Sequence, residues 1–529
     1  MTAKGTYLRP NVLVEPLINQ WYAWPYLVPP ATASMYIANW HLKLMQSFVT
    51  APQVHVAALR NPAMAGGPFI NYDPNRSGDI KALLEKTRKG QTTLLKLAED
   101  IRTLDQLVIA EADGTSLEHL YKKIPDSIKG FVELFYDVHN NPSYRIIEPL
   151  LYASPYYDES LQSLALSLIN QDGRSFVFST PRLGEDGAFH LKVPFSHEGV
   201  EELFKMKQTP QPYDRIKELL GLKGDGELLS SFFTDEPGRR TPPYDGDGVR
   251  IRYFGHACLL IESSDTAILC DPVISYEYES SFPRYTFADL PEQIDHVLIT
   301  HNHQDHCMFE TLLQLRHKVK SILIPRSGGG SLIDPSLKLV LQRIGFRNVH
   351  EVEELESIEI SGGNVTGIPF LGEHADLNIR TKIAYLIRLK GKSILCAADS
   401  NNIDPLLYRH VRDLVGAVDT VFLGMECDGA PLSWLYGPLL TTPLARKADQ
   451  SRRFDGSDFE KGIRLVNALN PSRVYVYAMG QEPWLTFLTS IRYTETSRPI
   501  VESSRLVEEC RKQGIISERL FGCKDILLS

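Results

Sequence analysis

Three histidines and an aspartate fall within six residues at His301-Asn302-His303-Gln304-Asp305-His306, directly after the apolar run Leu298-Ile299. Imidazole and carboxylate together are the donor set for zinc, iron or manganese. On an extended loop, residues i and i+2 project together. His301 and His303 can therefore hold one metal while Asp305 and His306 turn toward a second. Chance rarely gathers four ligand-type residues at this spacing behind a strand.

Thr300 to His306 resembles the HxHxDH motif of the metallo-β-lactamase superfamily. Tyr253-Phe254-Gly255-His256-Ala257-Cys258 and Ile268-Leu269-Cys270-Asp271-Pro272 are similar to that superfamily's opening hairpin. The resemblance implies that Asp271 supports a ligand histidine from behind, fixing its tautomer. A turn-forming aspartate before proline is the alternative. Further ligands must come from later strand ends. Asp399, after Leu395-Cys396-Ala397-Ala398, sits where a bridging carboxylate would, or else as a helix cap or solvated side chain. The segment Pro369 to Asp376 offers Glu373 or His374. Hydrolases of the superfamily use a histidine here and another after a late strand. In this chain that strand, Val474-Tyr475-Val476-Tyr477-Ala478, runs into Met479-Gly480-Gln481-Glu482, and no histidine follows His410. The site must lean on Asp305, Asp399, Glu373 and the further candidate Glu426. A carboxylate-rich pair suits oxygen-binding iron better than zinc.

The elements that would position these residues alternate at short intervals from Val249 onward. Apolar runs predict strands over Arg250–Phe254, Cys258–Glu262, Ala267–Cys270, His296–Thr300, Ser321–Pro325, Lys382–Arg388, Ser393–Ala397, Thr420–Leu423 and Arg473–Tyr477. Helical spacing marks Phe309–His317 and Asp458–Leu469. Two sheets covered outside by helices, an αββα sandwich, fit this pattern. The class is α+β. The turn-rich segment Glu236 to Gly248 separates this domain, 249–529, from a mixed α/β N-terminal domain, 1–240. In that domain Ile80 to Lys86 and Thr93 to Ile101 have helical spacing. Trp21, Tyr22, Trp24, Pro25 and Tyr26 crowd its start, as core or interface packing would.

Composition narrows the function. The 529 residues are 43% hydrophobic and 23% charged, with a net charge of −9, which argues against a general nucleic-acid binder. No window of uncharged apolar residues is long enough for a membrane span. Met1 to Thr6 is not followed by a signal-peptide core, since Pro10 and Glu15 interrupt the apolar positions. Seven cysteines, none paired as CxxC, read as buried thiols of a reducing cytoplasm.

A narrower resemblance runs through nearly the whole chain. It is carried by Val14-Glu15-Pro16-Leu17-Ile18, Trp21-Tyr22, Tyr152-Ala153-Ser154, Phe287 to Glu292, Leu298 to His306, Phe370 to His374, Asp449-Gln450-Ser451-Arg452-Arg453 and Tyr475 to Gly480. These stretches are similar to the diiron β-hydroxylases of nonribosomal peptide pathways. The resemblance implies an O2-dependent monooxygenase with two Fe ions, hydroxylating the β-carbon of an aminoacyl group held on a carrier protein. It gives Glu373 a metal position that hydrolases fill with histidine, makes Asp399 the bridge, and so makes both catalytic. His374 becomes a neighbour in a supporting or substrate-facing role. The expected partners are the aminoacyl carrier protein and an electron donor that the sequence does not name, with no nucleic acid and no membrane. A homodimer is left open. Arg446, Lys447, Arg452 and Arg453 are candidates for docking an acidic carrier, or else a solvated loop paired with Asp449 and Asp455. The alternative is a zinc hydrolase, of lactonase or phosphodiesterase type, in which two Zn ions would activate a hydroxide.

Overall fold

Ala267–Cys270 is apolar at every position, and Leu259–Glu262 and Thr420–Gly424 are buried throughout, as sheets covered on both faces require. Leu259 and Ile261 enter the core between two sheets, while Leu260 between them enters a different core outside. The computed structural model describes residues 5–185, 187–223 and 226–529, so Met1–Lys4 of the opening segment lie outside the described residues.

Two seven-stranded sheets result. The first runs, in spatial order, Val349–Val352, Val319–Pro325, Ile294–Leu298, Ala267–Cys270, Leu259–Glu262, Val249–Tyr253 and Lys524–Leu528. The second runs Ser357–Ile360, Gly363–Ile368, Ala384–Leu389, Lys392–Cys396, Thr420–Gly424, Arg473–Tyr477 and Ile516–Arg519. Ile251, Ile268, Leu298, Tyr385, Ile394 and Phe422 fill the space between them. Helices Phe309–Leu315 and Leu337–Arg343 cover the outer face of the first sheet. Leu407–Val415, Phe459–Leu469 and Arg498–Lys512 cover the second. This is the expected αββα arrangement. Asp458 caps its helix, its side chain accepting from Lys461 N at 3.1 Å.

The outer and late strands carry weak apolar signals, and sequence reading passes over several of them. In Ser357–Ile360 the exposure alternates without one fully buried residue.

The N-terminal half builds a four-stranded sheet in the order Trp21–Tyr22, Val12–Ile18, Gln162–Leu168, Phe189–Leu191, with long helices Ser77–Gly90 and Thr92–Glu111 beside it. Val12, Val14, Leu164 and Leu166 share one core with Phe309, Leu312 and Leu313 of the other half. Trp24 and Tyr26 share another with Leu432, Leu435, Tyr436 and Phe454. The early aromatic cluster thus packs directly against the metallo-β-lactamase-like half. All seven cysteines are free thiols. Among the described residues no helix is long and apolar enough to cross a membrane.

Candidate metal centre

The strand Ile294–Leu298 lies between two parallel neighbours, and its C-terminal end delivers the loop 299–306 to the edge of the inter-sheet core. The loop is pinned at once. Ile299 N donates to Leu323 O, Ile383 N donates to Thr300 O, and Thr300 N donates to Asp271 Oδ1 at 2.7 Å. Asp271 is fully buried in left-handed backbone, φ 39°. Its other oxygen accepts from the Thr300 hydroxyl at 2.6 Å and lies 2.9 Å from His306 Nδ1.

These contacts decide which nitrogen of each imidazole is free. A neutral imidazole carries one N–H and one lone pair. His306 Nδ1 faces a carboxylate, so it carries the proton and Nε2 keeps the lone pair. The Thr300 hydroxyl spends its proton on Asp271, so at 3.0 Å it accepts from His301 Nδ1, and again Nε2 is free. His303 reverses the pattern: its Nε2 meets the Tyr436 hydroxyl at 3.0 Å and its Nδ1 faces inward.

The three inward atoms converge with carboxylates. His301, His303 and Glu373 bring ligand atoms within 4.8 Å of one another, as do His301, His306 and Asp399. Asp399 Oδ2 lies 3.7 Å from His301 Nε2 and 3.1 Å from His306 Nε2, between the two sets. Glu373 Oε1 lies 2.9 Å from His303 Nδ1, and Oε2 lies 2.9 Å from His374 Nδ1. His374 stacks on His303 with ring centroids 4.5 Å apart. Asp305 stands beside His306 in a third group with His256.

Left-handed backbone surrounds the cluster: Glu373 at φ 62°, Ala398 just before Asp399 at 46°, and His256 at 49°. Such non-glycine conformations cost on the order of 1 kcal/mol each and persist where the surroundings hold them. Gly372 is needed in its turn, since its φ is 72° and a Cβ would lie 2.6 Å from Asn401 Cβ.

The donors fit a pair of cations. His301 Nε2, His306 Nε2, Glu373 Oε2 and Asp399 Oδ1 are buried without a hydrogen-bond partner, an expensive arrangement for polar atoms that had no ion to hold. Burial and the neighbouring imidazoles push His301 down. Burial alone would raise Glu373, but His303 and His374 hold it at about 2. Burial raises Asp399, with Glu373 and Asp305 adding to it against His306. Three carboxylates this close need positive charge, from protons or from metals.

His256 is the residue that sequence reasoning passes over. Its Nε2 is 3.3 Å from Asp305 Oδ2, which makes it look like a ligand. Its Nδ1, however, accepts from the backbone N–H of Gly480 at 3.1 Å. The proton is therefore on Nε2, facing Asp305, and the ring presents a donor where a ligand needs a lone pair. Glu426 stands outside all three groups. Its carboxyl turns to the Tyr493 hydroxyl at 3.1 Å, and burial pushes it up to about 8. The four cations of the 446–453 segment do not form one free patch. Arg446 and Lys447 are exposed, but Arg452 Nε donates to Ala375 O at 2.9 Å and Arg453 lies 3.7 Å from Asp428.

Residues 7–237 match the diiron non-heme beta-hydroxylase N-terminal domain, and residues 250–423 match a beta-lactamase superfamily domain. The chain is 42% identical over 525 residues to the 4-amino-L-phenylalanyl-[CmlP-peptidyl-carrier-protein] 3-hydroxylase of Streptomyces venezuelae, covering 97% of this chain and 98% of that protein. It superposes on the crystal structure of CmlA, a diiron beta-hydroxylase from the same organism, with TM-score 0.93 at 40% identity, covering both chains completely.

Proposed function

The chain belongs to the diiron non-heme β-hydroxylase family, and from that premise we propose that it hydroxylates the β-carbon of an aminoacyl group carried as a thioester on a peptide-synthetase carrier protein. The observation that carries this reading is the extent of the likeness to a carrier-protein 3-hydroxylase: 97% of the chain, both domains included. The same likeness favours the oxygenase over the zinc-hydrolase alternative.

In this reading His301, His303 and Glu373 would hold one iron, Asp305 and His306 the other, and Asp399 would stand between them. Two irons, when bound, supply reductive activation of O2 and the oxidation of an unactivated C–H bond. The protein's own residues prepare the site. Asp271 and Thr300 fix the tautomers of His306 and His301, so their lone pairs are aimed before any ion arrives. His256 turns its Nε2 toward Asp305 at 3.3 Å and so faces that carboxylate with the donor side of its ring. Burial of the imidazoles keeps bulk water away, which protects a strong oxidant from side reactions. O2, two electrons from a donor protein and two protons would convert the C–H bond to one hydroxyl and release one water.

Delivery on a carrier raises the local substrate concentration. Arg446 and Lys447, exposed beside the segment that contacts Ala375, would steer an acidic carrier toward this face. The test compares the aminoacyl carrier with the free amino acid at matched concentration, reading a mass gain of one oxygen atom. Only the carrier-bound substrate should turn over efficiently, and association should slow with salt, which screens exposed charges over about 8–10 Å. Equal turnover of both substrates would sink the tethered-substrate reading.

A further inference from the structure

Glu373 stands at the centre of a turn that few side chains adopt. His374 N donates back to Gly372 O at 2.9 Å, which closes a three-residue turn around Glu373, whose φ is 62°. A hydrogen bond from residue i+2 back to residue i, with positive φ between them, is the rare and strained hand of the γ-turn. The strain continues past it. Ala375 and Asp376 are also in left-handed backbone, at φ 51° and 56°. Such a run of non-glycine residues persists only where its surroundings hold it.

The turn is held by its carbonyl oxygens. Leu371 O accepts from Asn401 N at 2.9 Å, and His374 O accepts from Leu377 N at 3.0 Å. Two more are taken by cationic side chains. Lys382 Nζ donates to Gly372 O at 3.0 Å, and Arg452 Nε donates to Ala375 O at 2.9 Å. A hydrogen bond from a cation is stronger than the neutral amide bonds beside it.

Each cation is anchored to a different part of the fold. Lys382 pairs through its backbone with His301, and Ile383 N next to it donates to Thr300 O at 2.8 Å. Lys382 thereby ties the Glu373 turn to the histidine loop. Arg452 directly follows the helix Arg446–Ser451. Its carbonyl accepts from Leu432 N at 2.8 Å, and Asp449 within that helix accepts from Ser433 N and Ser433 Oγ, both at 2.8 Å. The stretch Asp449 to Arg453 is braced on the 432–434 segment on one side and on the Glu373 turn on the other.

We propose that Lys382 and Arg452 are positioning residues that clamp the turn 371–376 from its two ends and keep the Glu373 carboxylate aimed into the metal site beside His303. Lys382 acts through the carbonyl of the residue before Glu373, and Arg452 through the carbonyl two residues after it. This rests on the metal-centre reading above.

The test uses the full-length protein and its Lys382→Met and Arg452→Met variants, which keep an unbranched side chain and remove the donor. Hydrogen exchange of the metal-free proteins reads the turn itself. Amides of residues 371–377 should exchange about tenfold faster in each variant, as expected when a charge-assisted hydrogen bond is lost, while the rest of the chain keeps its protection. Iron affinity is read by chelator competition, with Mössbauer spectra of the loaded proteins. Each variant should loosen one ion of the pair by about tenfold, the lower end for losing an outer contact of a ligand, and should alter the spectrum of one iron only. The decisive comparison adds each change to Glu373→Ala. If the clamp acts through Glu373, Lys382→Met and Arg452→Met cost no further iron affinity once that carboxylate is gone. Wild-type exchange and unchanged spectra in both single variants would overturn the clamp. An equal loss of affinity in the Glu373→Ala background would overturn it too, by showing a general loosening of the fold. Wild-type protein that takes up no pair of ions would overturn the metal-centre reading itself, and the exchange of the metal-free protein would still report on the turn.

Discussion

Replacing His256 separates two readings of the same geometry. As a direct ligand through Nε2, His256 would need its proton on Nδ1, where it would point at the Gly480 N–H only 3.1 Å away. Two donors facing each other in a buried site cost on the order of 1–3 kcal/mol from the unmade hydrogen bond alone. Protonated on Nε2, His256 accepts from the Gly480 N–H through Nδ1 and turns its Nε2 proton toward Asp305 Oδ2 at 3.3 Å, a charge contact and not an aligned hydrogen bond. His256→Asn is the informative change, because asparagine tolerates the left-handed backbone, φ 49°, that this position requires. The shorter side chain cannot reach Asp305, 3.3 Å from the present Nε2. Asp305 would lose a partner and keep its own reach. The expected outcome is a protein that still takes up two irons, with the weaker one loosened by about 10–100-fold, as when an outer partner of a ligand is lost. Iron titration with elemental analysis reads the stoichiometry directly. A variant that saturates at one iron per chain, with a normal fold, would show that His256 is itself a ligand and that the tautomer argument is wrong.

Asp399→Ala removes the carboxylate lying 3.7 Å from His301 Nε2 and 3.1 Å from His306 Nε2, so both ions should be lost or loosened together; retention of two tight ions with full turnover would contradict the bridging assignment. Glu373→His approaches the hydrolase donor set and should spare metal content more than hydroxylation, checked by iron analysis beside product formation. Acid should destabilise the N-terminal half. Burial raises the Glu15 carboxyl, but Arg182 and Arg174 outweigh it and hold it at about 2 against a usual 4.5. A depressed folded value means stability that is present above about 4.5 and lost as pH falls toward 2, on the order of a few kcal/mol. Glu15→Gln should flatten acid unfolding over that window while lowering stability at neutral pH.

The ligand loop was readable because its information is local. His301, His303, Asp305 and His306 announce themselves within six residues, and the apolar run before them marks the strand that buries them. The inner strands Leu259–Glu262, Ala267–Cys270 and Thr420–Gly424 were readable for the same reason, since each is a short, mostly apolar run. What sequence could not show is held by contacts between distant segments. Tyr436 carries no motif, and its relation to His303 exists only because residues 432–439 fold back against Trp24 and Tyr26. His256 was visible as part of a hairpin motif, but its proton is set by Gly480, more than two hundred residues later. Glu426 follows a strand end as Asp399 does, and nothing in its spacing reveals that it turns to Tyr493 instead.

The N-terminal half grips the ligand loop from the other side as well. Glu310 lies in the first turn of the helix that follows His306, where negative charge is favourable. Its carboxylate is buried and accepts from Tyr22 at 3.0 Å, Tyr276 at 2.9 Å and Arg174 at 2.8 and 3.1 Å. Arg174 also reaches Glu15 at 2.6 Å and lies over the Phe487 ring, 3.5 Å from its centroid. Removing only the Arg174 side chain, with the two halves still packed, would leave Glu310 buried without its cation, which costs about 3–5 kcal/mol in comparable sites. Tyr26 of the same half contacts Tyr436 and receives Asn302 Nδ2. The loop therefore has an N-terminal partner before His303 and another just past His306. A minimal hydrolase built from the sandwich alone would lack both, so the first 230 residues are better regarded as part of the metal site's scaffold than as an appended recognition module.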